Sequence, residues 1–261
     1  METEGHSMAL NGTNIEIKNV HKAFRRENGQ VMPVLHGLSF AVEAGCITCL
    51  IGPSGCGKST LLNIIAGLEK PDSGGIYTEN KAVKLRASYV FQTPRLLPWK
   101  TIRGNMEFGL HSWGVPAAEI PQRAEKYLKM VGLDDFVNQY PLFLSGGMQQ
   151  RVGLARGLAV QPQVLLMDEP FSSVDELSAI HLREEARRIN RELKQTTIYV
   201  THNLNEAAFL GDRVVVLSAR PTRVVATLNN PISGERIWGE EDVARFSKEI
   251  RNNLFMNRRV Q

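Results

Sequence analysis

"CITCLIGPSGCGKSTLLNIIAG", residues 46–67, changes character twice within a few residues. An apolar, β-branched run stops at a glycine-rich turn, and the turn opens into an apolar helix pattern. Gly52 to Ser59, "GPSGCGKS", fits G-x-x-x-x-G-K-[ST] after a strand and before a helix, the context that motif requires. Glycines let such a loop wrap tightly with its N–H groups turned inward toward phosphates, and the helix that follows adds the positive end of its dipole. Among Gly52, Pro53, Ser54, Gly55, Cys56, Gly57, Lys58, Ser59 and Thr60, three residues carry specific expectations. Lys58 supplies a mobile cation for β- and γ-phosphates, Ser59 a hydroxyl for Mg²⁺, and Thr60 a reach to the α-phosphate.

The flanking sequence alternates strands and helices. "IEIKNVHKAF" (15–24) and "VLHGLSFAVEAG" (34–45) read as strands, and "CITCLIG" as a central strand apolar on both faces. "TLLNIIAGL" (60–68) is helical, and "ASYVFQ" (87–92) is a strand. From about 93 to 160 the pattern turns to helices broken by prolines. "QVLLMDEP" (163–170), "TTIYVTH" (196–202) and "RVVVLSA" (213–219) return as strands, with a helix over 178–193 and an amphipathic helix over 240–255. Buried strands alternating with helices predict an α/β fold around a mostly parallel central sheet. The expected organisation is a flexible tail over 1–14, a main domain over 15–230 with a helical subdomain at about 93–160, and a helical extension over 231–261.

Composition bounds the partners. The 261 residues carry a net charge of +4 spread along the chain, which favours a solvated mixed surface over a nucleic-acid patch. Cys46, Cys49 and Cys56 are too few and too clustered for a disulfide framework; they read as core residues of a reducing compartment. No stretch reaches the roughly 18 apolar residues of a membrane span, and the first residues lack the apolar region of a signal peptide. The chain is expected to be soluble and cytoplasmic, so a membrane role needs a partner.

Two further motifs bear chemistry. In "VLLMDEP" four apolar residues deliver Asp168 and Glu169 to a strand end, and Pro170 stops further pairing. Such a strand beside a phosphate loop places one acid on the metal shell and the next on an attacking water. In "LSGGMQQR" (144–151) Ser145, Gly146 and Gly147 precede an amphipathic helix and form a second anion cradle without a lysine. Taken alone, Ser145 could be an ordinary helix N-cap. One nucleotide already has its cradle at 52–60, so a second cradle invites a partner's nucleotide.

These motifs resemble those of the ATPase subunits of ABC transporters, a family of P-loop NTPases. "GPSGCGKST" is similar to the Walker A loop, "LLMDEP" to the Walker B strand and "LSGGMQQ" to the signature. "YVFQ" places Gln92 at the Q-loop, "SSVD" Asp175 at the D-loop and "VTHN" His202 at the switch histidine, while Phe24 stands where the family stacks an aromatic on adenine. The resemblance covers about residues 15–230. It implies a sheet with an antiparallel β part near the N-terminus and an α-helical subdomain. It also implies ATP and Mg²⁺ as cofactors, with two copies, or one copy and a paralogue, clasping ATP head to tail. Glu169 would polarise the water, His202 hold the γ-phosphate, and Gln92 reach Mg²⁺ and water.

The features "LLPW" and "N…GL" in 93–110, and "DVARFSKEIRNNL" near the C-terminus, are similar to importers of nitrate, sulfonates and taurine. Subunits serving pyrimidine precursors or vitamins share the outline, and the motifs do not set import against export. The resemblance implies a transmembrane permease as partner, a periplasmic solute-binding protein indirectly, and a peripheral place on the cytoplasmic face of the inner membrane. Trp99 reads equally as subdomain core or as the lining of a permease groove.

Overall fold

The computed structural model describes residues 12–79 and 85–256; most of the tail expected over 1–14 and the last five residues of the extension lie outside them. In chain order the elements are β1 (Ile15–Arg25), β2 (Val31–Val42), β3 (Ile47–Ile51), α1 (Lys58–Ile65), β4 (Ser73–Thr78) and β5 (Ala87–Val90). The helices α2 (Ile102–Ser112), α3 (Ile120–Met130) and α4 (Gly146–Ala159) follow. Then come β6 (Val164–Asp168), α5 (Glu176–Leu193), β7 (Thr197–Thr201), α6 (Leu204–Leu210), β8 (Arg213–Leu217), β9 (Val224–Asn229) and α7 (Glu241–Met256).

β3 is buried at all five residues because it lies inside a six-stranded sheet of order β5-β6-β7-β3-β8-β9. It pairs in parallel with β7 and with β8, and only β9 runs antiparallel. Side-chain alternation sends Leu50, Val164, Leu166, Ile198 and Val200 to one face, packed on α1 and on the antiparallel sheet β2-β1-β4. Cys49, Ile51, Leu165, Met167 and Tyr199 go to the other face, with the helical side of the molecule. Both faces are covered, which explains why these strands read as continuous apolar runs.

Three elements escaped the sequence pattern. β4 is "SGGIYT", whose glycines argue against a strand. Gly74 is required there: its φ is +76°, and a Cβ would stand 2.1 Å from the Asn19 carbonyl oxygen on the paired strand β1. α6 has seven residues and owes its start to Asn203, whose side chain accepts from the N–H groups of Asn205 and Glu206. β9 continues the sheet past β8, so the strand over 213–219 is not the last one. α1 starts two residues earlier than its apolar period suggests.

The three cysteines are free; Cys49 and Cys56 are buried and Cys46 is partly so. At the start of the described chain, Asn14 Oδ1 accepts from Ala44 N at 2.8 Å, which ties that residue to the turn before β3. Asn105 on α2 is buried and binds the backbone of Leu97, Lys100 and Thr101, holding the turn that carries Trp99. Trp99 is 71% exposed, so it is not subdomain core.

A buried polar cluster ties the strand ends to the helices. Glu206 accepts from Arg183 Nε at 3.0 Å, from the Tyr199 hydroxyl at 2.6 Å and from Thr201 Oγ1. Arg183 also pairs with Glu176 at 2.9 Å and lies 4.5 Å from the Trp238 ring centroid. Burial, with the Glu206 charge adding, holds the Tyr199 phenol far above its ordinary pKa, so its proton stays in place for the hydrogen bond. Beyond β9, Arg236 donates to the carbonyls of Phe209 and Gly211 and pairs with Asp212 at 3.0 Å, while Val243, Phe246 and Ile250 of α7 fill the same core.

Replacing Glu206 by Ala leaves the buried Arg183 guanidinium with Glu176 alone. Removing one partner of a buried pair costs about 3 kcal/mol. Thermal unfolding followed by circular dichroism is expected to show the midpoint lowered by about 6–12 °C; a shift within the error of the wild type would show that the cluster is not structural.

Candidate functional site

The 52–60 loop joins the C-terminal end of β3 to α1, where the N–H groups of the helix's first turn are open to an external acceptor because Gly57 supplies no side-chain cap. Gly57 has φ +118°, and a Cβ there would stand 2.7 Å from Val34 Cγ1 on β2, so both conformation and space demand glycine. Thr222 locks the loop from behind: its hydroxyl donates to the Cys56 carbonyl, and its N–H donates to Val34 O at 2.8 Å. Lys58 is 5% exposed and donates to Gly52 O at 2.8 Å and Pro53 O at 3.1 Å; among the described residues it has no carboxylate partner. Burial pushes the Cys56 thiol up against the opposing pull of Lys58, which makes it a packing group and not a nucleophile.

β6 delivers the two acids in different directions. Asp168 continues the alternation of Val164 and Leu166, which face α1. Its Oδ2 accepts from the Tyr89 hydroxyl at 2.9 Å. Glu169 has φ +46°, a left-handed conformation sparsely used by non-glycine residues, and this kink turns it away from the strand. Its N–H donates to Val200 O at 3.0 Å, and its carbonyl accepts from Ser172 Oγ at 2.9 Å, so the kink is held at both ends. The Glu169 carboxylate lies 2.9 Å from His202 Nδ1, just past the end of β7. An ionised carboxylate only accepts, so Nδ1 carries the proton of this bond and Nε2 is left to another partner.

The remaining candidate residues surround this centre. Gln92 is exposed, and its backbone carbonyl accepts from Gln150 Nε2 on α4 and from Ser173 Oγ at 3.4 Å. One oxygen thus joins the loop after β5, the signature helix and the turn before α5. Asp175 caps α5 by accepting from Ser178 N at 3.0 Å, and that bond holds its carboxyl below the usual range. Ser145 caps α4 by accepting from Met148 N at 3.2 Å. Beside it Gly146 is exposed, and a Cβ there would meet nothing within 4 Å. Phe24 is 37% exposed on β1 with Lys22 Nζ 5.2 Å from its ring centroid, so it is a surface ring and not a strand core residue. It stands opposite Met32, whose sulfur lies 3.4 Å from Arg220, and a Cβ added at Gly55 would stand 3.6 Å from Arg220.

No cluster of three or more His, Cys, Asp or Glu among the described residues could hold a metal by itself. Asp168 faces α1, on whose first turn Ser59 stands, and one carboxylate with one hydroxyl would be an incomplete oxygen donor set. Such a set would suit Mg²⁺, which is bound through one or two protein ligands with phosphate oxygens and water completing the shell. Tyr89, Thr222 and Arg220 are the residues at this site that no motif marked. They reach it through strand pairing and a loop distant in sequence, which leaves no local signal.

The sequence profile of ABC transporters matches residues 35–172. An aliphatic sulfonates import ATP-binding protein of Mesorhizobium japonicum is 42% identical over 85% of this chain and 83% of its own length. A nitrate import ATP-binding protein of Synechocystis is 38% identical over 92% and 94%. An uncharacterized ABC transporter ATP-binding protein of Methanocaldococcus jannaschii is 40% identical over 92% and 91%. Among solved structures, a dimeric ATP-binding cassette in a post-hydrolysis state bound to ADP and Pi is 30% identical, covers 84% of this chain and 99% of its own, and superposes with a TM-score of 0.71. With the phosphate loop, the paired acids and the signature helix arranged as above, the chain belongs to the ABC transporter family, as one of its ATP-binding and ATP-hydrolysing cassettes.

Proposed function

We propose that this cassette powers an importer of a small anion such as nitrate or a sulfonate, working as a head-to-tail dimer beneath a membrane permease. The observation that carries the dimer is the position of Ser145, Gly146 and Gly147. This cradle is at the start of α4 with free space above Gly146; Ser145 accepts from Met148 N, and a Cβ added at Gly147 would meet Val174, Ser178 and Leu182 of the α5 region. A second copy bringing its own nucleotide fits that open face, and the dimeric relative supports the same reading. The nitrate and sulfonate import names of the relatives support the solute class. No helix of the described residues is long and apolar enough to cross a membrane, so attachment through a permease at the cytoplasmic face, supplied by a periplasmic binding protein, is the arrangement proposed.

In this reading the loop N–H groups and Lys58 hold the β- and γ-phosphates, Thr60 reaches the α-phosphate, and Phe24 stacks on the adenine. Ser59, Asp168 and Gln92 would hold Mg²⁺, which would supply positive charge against that developing on the phosphate oxygens. Glu169 takes the proton of the attacking water as its oxygen bonds to the γ-phosphorus and the bond to the ADP oxygen breaks. His202, fixed by Glu169 through Nδ1, presents Nε2 to the γ-phosphate, and Asp175 faces the partner copy. Because the Gln92 carbonyl is tied to α4 and to Ser173, movement of Gln92 shifts the helical subdomain and the dimer face together.

Three measurements test this scheme. Glu169→Gln is expected to lower ATP turnover by about 10²–10⁴-fold and to trap an ATP-bound dimer on gel filtration; a monomer hydrolysing at the wild-type rate would remove Glu169 from the mechanism. Ser145→Arg should leave nucleotide binding by the monomer intact yet abolish ATP-driven dimerisation in light scattering. A mutant that still dimerises would reduce the serine to its capping role. Trp99→Ala, at an exposed position, should spare the ATPase of the free subunit and uncouple it from the reconstituted permease; retained coupling would place the permease contact elsewhere.

A further inference from the structure

We infer that Tyr89 is a positioning residue for the ATPase reaction: its hydroxyl orients the Asp168 carboxylate, and Phe91 and Arg95 make that orientation follow the loop that carries Gln92. The inference rests on the assignment of Asp168 to the metal shell. The hydroxyl is the one side-chain or backbone donor among the described residues that reaches the Asp168 carboxylate, at 2.9 Å on Oδ2. A carboxylate at a strand end rotates about its last bonds unless one oxygen is held. The Tyr89 bond holds Oδ2 and leaves Oδ1 to a cation.

Strand pairing dictates this meeting. β5 and β6 run parallel with Tyr89 opposite Leu166, and Leu166 shares a face with Asp168. The tyrosine must reach two residues along the strand, about 6.6 Å, and only its hydroxyl closes the gap.

The ring is held in turn. Tyr89 stacks on Phe91 with centroids 4.2 Å apart and planes 17° apart, and the Arg95 guanidinium lies 4.1 Å from the Phe91 centroid. Arg95 has φ +48°, and the carbonyls of Pro94 and Arg95 both accept from Arg156 on α4, at 2.6 and 3.2 Å. A run of contacts therefore leads from the signature helix through Arg156, Arg95, Phe91 and Tyr89 to Asp168. Phe91 immediately precedes Gln92, so a shift of that loop disturbs the stack before it disturbs anything else in the sheet.

The test uses the full chain with ADP, which excludes turnover, and Mn²⁺ as a paramagnetic probe titrated by electron paramagnetic resonance. Tyr89→Phe keeps the ring and the stack. It is expected to lower Mn²⁺ affinity of the ADP-bound protein by about tenfold, the usual effect of removing an outer-shell partner of a metal ligand. ADP affinity in the presence of a chelator should be unchanged. Arg95→Ala, at an exposed position, is expected to lower Mn²⁺ affinity about threefold through the weakened stack, and to have no further effect once Tyr89 is Phe. Wild-type Mn²⁺ affinity in Tyr89→Phe overturns the inference, and additive losses in the double variant overturn the part played by Phe91 and Arg95. Asp168→Asn is the control. If it also leaves Mn²⁺ affinity unchanged, the metal assignment is wrong and the inference falls with it; if it alone loses affinity, the assignment stands and Tyr89 is a spectator.

Discussion

A buried ammonium with no carboxylate partner among the described residues sets the character of this molecule's central site. Lys58 is almost wholly shielded from water and satisfied by two backbone carbonyls of its own loop. Carbonyl dipoles compensate an isolated buried cation only in part, so the site is built to attract an anion. The nearby acids do not neutralise it: Asp168 is committed to Tyr89 and Glu169 to His202. Both acids are thereby kept off the lysine, and the loop retains its affinity for phosphate. Were either to fold onto Lys58, an internal ion pair would compete with the nucleotide.

The central sheet is what makes that separation possible. β3, β6 and β7 run side by side in parallel and finish at the same edge, so the loop, the two acids and the histidine emerge together without touching in the wrong pairs. The Glu206 cluster then fixes the end of β7 against α5, whose cap is Asp175. The Gln92 carbonyl performs a similar task on the other side by accepting from α4 and from the turn before α5. Two polar junctions, one buried and one partly open, thus bind elements that the apolar core alone would leave free to slide.

Much of this was legible before any coordinates. Strands apolar on both faces announced a covered parallel sheet, and the glycines and lysine of 52–60 announced a phosphate loop, because both signals are local. β4 and α6 were not legible for opposite reasons. β4 is a strand through its pairing with β1 despite two glycines, and α6 is too short to show a helical period. Trp99 could not be placed on surface or core from the sequence, since its exposure is set by how Asn105 ties down the neighbouring backbone. Tyr89 looked like one more aromatic in a strand. Its importance depends on which residue of β6 stands beside it, and pairing register is written in no single segment.

The clasp formed by Arg236, Trp238 and α7 carries a consequence for biosynthesis. These residues seal the C-terminal carbonyls of α6 and complete the core shared by β8 and α6, although they follow all the nucleotide motifs in the chain. A nascent polypeptide that has reached Asn229 already holds every motif, yet Phe209 and the helical face of β8 still lack their cover. Such an intermediate presents apolar surface to solvent until the next two dozen residues are added. Closure of that core waits on residues 230–254, and until they arrive the exposed apolar surface is open to contact with other apolar surfaces.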